Sequence, residues 1–262
     1  MREFTPEYLE HTRRGMWEST AALDPLELDS RARVLDVGCG TGELSRVLAA
    51  ESPGDVIGVD ADTALLGVAR EATGLPTVVG DATRLPFRAD AADLVVCQAL
   101  LINLPDPTAA VREFARVSSD LVAAIEPDNA AVEVSSTVDA EERLEREVRE
   151  AYLAGVETDV AMGERVGDLF EAAGLDVIAR QTYHHEKLVE PPYSEPAMES
   201  AAKKASGAGI AEHERELRAA GADYDDLRAA WREMGRDVVR EMGEERYRRR
   251  EVVPFEVTVG RV

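Results

Sequence analysis

The chain has 262 residues and 45% hydrophobic content, enough to bury a sizeable core. Fifty-two acidic residues against thirty basic ones give a net charge of −22, which repels nucleic acid because phosphate binding relies on basic side chains that release counterions. No apolar run approaches the roughly 18 residues of a membrane span, since the longest, residues 94–102, is interrupted by Gln98. Charges stand near the first residue where a leader would be apolar, so a cytoplasmic location is expected.

From residue 33 to about 129, short β-branched runs alternate with helical ones, the pattern of a parallel sheet covered by helices. The expected strands are "RVLDVG", "DVIGVD", "PTVVGD", "ADLVVCQ" and "LVAAIEP". Between them lie the helical stretches "ELSRVLAAES", "TALLGVAREAT" and "PTAAVREFARVS", the last with Val111, Phe114 and Ala115 on one face. Beyond residue 129, Leu144, Val148 and Tyr152 recur at helical spacing, and "GERVGDLFEAAG" ends on Gly174 as a helix cap would. A long strand, "LDVIARQTYHHEKLVE", precedes the turn "PPYSEP". A helical excursion then spans residues 195–250, with Leu227, Trp231, Met234 and Val238 in one stripe, and "PFEVTVGRV" closes as a final strand. The stripe needs a partner surface, either the crevice edge or a second copy of the chain.

The first strand runs into Gly38, Gly40 and Gly42, which let the backbone turn sharply and approach a ligand. The helix that follows aims free N–H groups at whatever sits there. A dinucleotide fingerprint requires Gly or Ala at position 43, where this chain has Glu43. Asp60, 18 residues past Gly42, is placed to take two ribose hydroxyls, and Asp81, at the next strand tip, suits an adenine amino group. With Asp36 these acids ring one crevice at the carboxyl edge of the sheet.

"VLDVGCGTG", "GVDAD", "GDATRLPF" and "ADLVVCQALLINLPDP", in this order and spacing, resemble the successive motifs of class I S-adenosylmethionine-dependent methyltransferases of the small-molecule type. The resemblance covers residues 33–129 and, weakly, the last two strands. It implies a doubly wound, Rossmann-like α/β sheet of seven mostly parallel strands, the last antiparallel, with a helical cap. The domain reading is an N-terminal helical lid at 1–30, a cofactor-binding core at 31–190, a helical insertion at 191–250 and the final core strand at 251–262. The resemblance also implies S-adenosyl-L-methionine as cofactor, its methionine part against Gly38, Cys39, Gly40 and Gly42 and its ribose on Asp60 with Ala61 beside the adenine. Asp81 and the Ala82 N–H take the adenine, Gln98 lies under the sulfonium, and Asp36 completes the cofactor set. Displacement by a neutral nucleophile disperses charge, so in-line placement and a dry pocket suffice unless the acceptor must first lose a proton.

Candidates for such a base are few. Asn103 stands where similar enzymes often carry His, Glu126 lies at the fifth strand's tip, and His184 and His185 point to opposite faces of a strand, so that one could reach the pocket and both could not share a metal. Glu126 has a second reading, holding a neighbouring helix N-terminus. "EPPY" lies too late in the chain to serve as a base-methylating signature, and "RYRRR" is flanked by Glu241, Glu244, Glu245 and Glu251. Tyr8, His11, Arg14 and Trp17 ahead of the first strand suggest a lid. Cys39 and Cys97 have no metal-ligand spacing.

Only Lys187, Lys203 and Lys204 are lysine, a balance that resembles cytoplasmic proteins of salt-loving organisms, although codon bias toward Arg and Ala gives the same look. The expected partner is a small-molecule acceptor, without membrane or nucleic acid, and a homodimer is left open. Competing readings are a protein or RNA methyltransferase, a non-catalytic cofactor-binding module and, opposed by Glu43, a dehydrogenase.

Overall fold

The computed structural model describes Thr5, Pro6, Leu9, Arg13, residues 15–17, 19–163 and 165–262. The chain divides into two compact units, Met1–Asp128 with Met162–Tyr183 and Pro254–Val262, and Asn129–Ala161 with His184–Val253.

In the first unit, β1 (Arg33–Val37), β2 (Asp55–Asp60), β3 (Thr77–Val79), β4 (Ala92–Gln98) and β5 (Ser118–Pro127) run parallel in the order β3-β2-β1-β4-β5. The second half of β8 (Arg249–Arg261) pairs antiparallel with β5, from Leu121 opposite Arg261 to Pro127 opposite Phe255, and β7 (Asp176–Val189) pairs with β8. Chain order reverses between β1 and β4, which makes the gap beyond their carboxyl ends a switch point of the kind that binds ligands. Register sets what meets there. Val37 lies opposite Val59 on one side and Cys97 on the other, so the glycine loop, Asp60 and Gln98 emerge side by side.

The flanking helices begin where local chemistry ends the strands. The first, α1 (Glu43–Glu51), starts at Gly42; α2 (Thr63–Thr73) is capped by Asp62, which accepts the N–H groups of Ala64 and Leu65; α3 (Pro107–Val117) is capped by Asp106, with Pro107 in its first turn. Val111 and Phe114 of α3 are fully buried against the sheet.

The second unit contains β6 (Glu133–Ser136), α4 (Asp139–Gly155), α6 (Glu195–Ser206), α7 (Ala208–Ala211), α8 (Glu214–Ala219) and α9 (Tyr224–Gly243), while α5 (Arg165–Ala172) belongs to the first. Leu227, Trp231, Met234 and Val238 of α9 share a core with Leu144, Ala201, Ile210 and Leu217. The stripe therefore finds its partner within its own unit. Gly235 makes this approach possible, since a Cβ there would lie 2.3 Å from the Ala205 backbone nitrogen.

Among the described residues there are eight strands rather than the seven expected, the extra one being β6, which pairs with Arg249–Val252 of β8. Its four residues, EVSS, lack the apolar alternation that announces a strand. No helix of the described residues is long and apolar enough to cross a membrane.

Candidate functional site

Gly38, Gly40 and Gly42 have φ values of +74°, +53° and +86°. Three left-handed residues in five are tolerated only because each lacks a Cβ. The loop is tied to β2 through its first three residues: Gly38 and Cys39 donate to the Val59 carbonyl at 2.7 and 3.1 Å, and Gly40 donates to Asp60 Oδ2 at 2.9 Å. Asp60 Oδ1 accepts the Asp62 N–H at 2.9 Å, so each of its oxygens keeps accepting capacity.

A partly open cavity forms over this loop. It is lined by Asp36, Gly38 to Thr41, Glu43, Leu44 and Gln98, together with Leu9 and Arg13. Asp36 is fully buried; Oδ2 accepts from Ser45 Oγ at 2.5 Å, while Oδ1 has no partner. Burial pushes its carboxyl up to about 6, against the opposing pull of Ser45 and the Arg13 guanidinium. Gln98 is 3% exposed, with Nε2 on Met16 Sδ and Oε1 unpartnered.

The cavity thus gathers Asp36, Gly38, Cys39, Gly40 and Gln98 of the residues anticipated from sequence, while Gly42 caps α1 beside it. Asp60 joins through its bond to Gly40. Ala61, Asp81 and Ala82 do not line it; Asp81 is exposed at the next strand tip, where the Thr83 hydroxyl and N–H hold its carboxyl below the usual range.

The three base candidates fare differently. Glu126 is fully buried and accepts the N–H groups of Leu100, Leu101 and Ile102 at 3.0, 2.9 and 3.3 Å, so its carboxylate holds the short turn at Leu101–Asn103 and not a substrate. Burial nonetheless raises it to about 7. Asn103 is buried, donates from Nδ2 to the Ala99 carbonyl at 2.9 Å and leaves Oδ1 unpartnered. An amide has no basic lone pair at neutral pH, so it offers a hydrogen bond and no proton transfer. His184 is exposed and falls in the second unit, whereas His185 beside it is buried. Burial pushes both the Cys39 and Cys97 thiols up, which removes them as thiolate nucleophiles. No group of three or more His, Cys, Asp or Glu side chains among the described residues could hold a metal.

Of the anticipated lid residues, Tyr8, His11 and Arg14 lie outside the described residues. Trp17 stacks on Tyr183 with centroids 5.5 Å apart, and the Tyr183 hydroxyl donates to the Met16 carbonyl. The residues that reach the cavity are Leu9 and Arg13, which sequence reasoning missed. Their four-residue spacing on an amphipathic stretch was the available signal.

A doubly wound sheet with this loop and these acids at its switch point defines a Rossmann-like cofactor-binding fold. Residues 35–120, about a third of the chain, match the methyltransferase domain family, and the cofactor implied by that domain is S-adenosylmethionine. A demethylmenaquinone methyltransferase of Lactiplantibacillus plantarum is 39% identical over 101 residues, 35% of this chain and 43% of that protein. A ubiquinone biosynthesis O-methyltransferase of Photorhabdus laumondii is 40% identical over 94 residues, 32% and 38%. The chain spans about half the length, or less, of the curated relatives it matches. Among solved structures, a protein of Bacillus halodurans described as a methyltransferase superposes with a TM-score of 0.52 at 15% identity, covering 92% of this chain and 99% of that one. The [4+2]-cyclase SpnF superposes at 0.50 with 16% identity, covering 99% and 83%. These likenesses establish the fold.

The cavity suits the implied cofactor on its own evidence. Two buried oxygens without partners, Asp36 Oδ1 and Gln98 Oε1, ask for hydrogen-bond donors, and the glycine loop leaves backbone room beside them. Glu43 tells against a dinucleotide as well, since it lines the cavity in the first turn of α1, where a diphosphate would meet its negative charge.

Proposed function

We propose that the chain transfers a methyl group from S-adenosylmethionine to a small-molecule acceptor by in-line displacement. The observation that carries this reading is the alignment of three left-handed glycines with the buried Asp36 and the loop-anchoring Asp60 at one switch point. When bound, the cofactor supplies an electrophilic methyl on a positive sulfur. Asp60 holds ribose hydroxyls, Asp36 takes an ammonium group, the Gly38–Gly42 loop admits the chain between them, and Asp81 with Ala82 faces the adenine. Gln98 borders the reacting end.

No imidazole lines the described site, and the carboxyl of Asp36, raised to about 6, is on this reading given to the cofactor's ammonium, which favours an acceptor that reacts without losing a proton to the protein or arrives already ionised. The quinone-pathway relatives support a small acceptor, and a charge of −22 weighs against RNA. The acidic, lysine-poor composition supports a working environment of concentrated cations. The residues that choose the acceptor belong on this reading to the part of the chain beyond residue 120, where the family match stops.

A second reading, a cofactor-binding protein that does no methyl transfer, is favoured by one contact: Met16, fully buried, packs on Gln98, the residue assigned above to the reacting end. Two measurements separate them. Calorimetry with S-adenosylmethionine and NAD should show saturable binding of the first alone, and saturable NAD binding overturns the cofactor assignment. Incubation with methyl-labelled donor and a small-molecule extract should then label a low-mass product, and binding without label favours the second reading.

A further inference from the structure

The turn that follows β4 is fastened at every residue. Ala99 holds a left-handed φ of +47°, a conformation that a residue with a Cβ keeps only where its surroundings impose it, and such positions cluster at functional sites. Here they are imposed from both sides: the Ala99 N–H donates to the Ile125 carbonyl at 2.9 Å, and its carbonyl accepts from Asn103 Nδ2 at 2.9 Å. The next three N–H groups, of Leu100, Leu101 and Ile102, all go to the Glu126 carboxylate. Leu101 and Ile102 are buried, which fixes the far half of the turn in the core.

Leu100 is the exception. It is only half-buried, and its side chain lies on the glycine loop, where a Cβ on Gly38 would come within 2.9 Å of Leu100 Cδ1 and 3.2 Å of its Cβ. The bare Gly38 therefore serves two ends, its own left-handed turn and the seat for Leu100. A continuous chain of contacts results. The Glu126 carboxylate grips the Leu100 N–H at 3.0 Å, the Leu100 side chain rests on Gly38, and Gly38 is bonded to the Val59 carbonyl at 2.7 Å.

We propose that Glu126 is a positioning residue for the donor: by gripping the turn it presses Leu100 onto Gly38 and keeps the glycine loop in the shape that receives the cofactor. This rests on the S-adenosylmethionine reading above. Glu126 does not line the cavity and acts through Leu100 alone. A carboxylate suits the task because an ionised acceptor makes stronger hydrogen bonds than a neutral one, and the turn it holds begins on a strained residue. The choice is otherwise unfavourable, since burial, with Cys97 Sγ 3.7 Å from Oε1, raises the group to about 7.

The test is calorimetric titration of the full chain with S-adenosylmethionine at about pH 8, above the value to which burial raises Glu126. It compares the wild type, Glu126→Gln, Leu100→Ala, the double variant and Leu100→Met, each checked for folding by circular dichroism. A residue that acts without touching the ligand shifts affinity by roughly 2- to 30-fold. Glu126→Gln and Leu100→Ala should each weaken binding within that range, and Leu100→Met should recover most of the loss by restoring a long apolar chain over Gly38. The double variant should bind no more weakly than the weaker single one, because both changes act along one path. Additive losses would overturn the inference. So would a lowered unfolding temperature with unchanged affinity, the mark of a turn that only supports the fold. If Glu126→Gln does not fold, the Leu100 pair decides: a loss in Leu100→Ala that Leu100→Met recovers supports the inference, and unchanged affinity overturns it. All of these results leave the cofactor reading intact, whereas a wild type that does not bind S-adenosylmethionine overturns both.

Discussion

Asp36 makes a prediction in which stability and binding move in opposite directions. Its carboxyl is fully buried and raised to about 6 from 3.8, chiefly by that burial. Below the lower value the group is protonated whether the chain is folded or not, and the folded state is at no disadvantage. Between the two values the unfolded chain releases its proton and the folded one keeps it, so stability falls as the pH rises, and the loss is complete above the folded value. About two units at ~1.4 kcal/mol each put the loss near 3 kcal/mol at neutral pH. Asp36→Asn abolishes the titration and still offers an oxygen to Ser45 Oγ. The variant should therefore be more stable than the wild type by up to about 3 kcal/mol at pH 7.5, with the gap closing near pH 4. Binding should go the other way: if an ammonium sits on the carboxylate, the wild type should bind S-adenosylmethionine about tenfold more weakly at pH 5 than at pH 7, and Asp36→Asn should bind weakly at both. Urea unfolding followed by circular dichroism at fixed salt, with calorimetry beside it, measures both arms. A variant destabilised equally at pH 4 and pH 7.5 would refute the reasoning, because Asp36 would then be a structural anchor for Ser45 and nothing more.

In the second unit, Glu251 contacts Arg249 at 2.6 Å and Lys187 at 3.5 Å, and these cations overcome its burial to hold its carboxyl down at about 2. A lowered value means stability that is present above pH 4.5 and lost as the pH falls toward 2, so Glu251→Gln should cost about 2–3 kcal/mol at pH 7 and progressively less below pH 4. A cost that does not change with pH would contradict the ion-pair account. At the site, Asp60→Ala should weaken S-adenosylmethionine binding by about 1.5–3 kcal/mol, since it removes a charged acceptor and the bond that fixes Gly40. Unchanged affinity in calorimetry would take Asp60 out of the site.

The parallel half of the sheet was legible because its signals are local. A β-branched run ending in glycines, or in an acid followed by a helical pattern, says where a strand stops and what its tip carries. Gly40 and Asp60 were expected at neighbouring tips, and their hydrogen bond follows from the β1–β2 register. Long-range choices were not legible. Ser45 is an ordinary first-turn residue in the sequence, and only the fold places its hydroxyl on Asp36. The sequence leaves the partner of the α9 stripe between the crevice and a second copy, because it does not show α4 and α6 to α8 closing a core of their own, or residues 129–161 joining a unit with residues that begin at 184. Glu126 shows the ambiguity in its sharpest form. An acid at a strand tip reads equally as a ligand contact or as an acceptor for a neighbouring turn, and its three N–H partners, set by the packing of β4 on β5, decide for the second.

The two buried acids nearest the carboxyl ends of β1 and β5 share a consequence. Asp36 and Glu126 are both raised by burial, so the fold is less stable for having them ionised at neutral pH, and Ala99 between β4 and the turn held by Glu126 adds a left-handed φ of +47° that a non-glycine residue adopts only under constraint. Desolvated carboxylates and backbone strain are both gathered at the switch point. A core optimised for stability alone would replace such acids with apolar groups. Glu126 is kept by the three N–H groups it accepts, and what favours keeping Asp36 is a ligand that brings positive charge. On the proposed reading the donor carries an ammonium and a sulfonium, and loses the second charge when the methyl departs. The field of Asp36 and Asp60 then favours the donor over its product, giving these two acids a role in exchange as well as in binding.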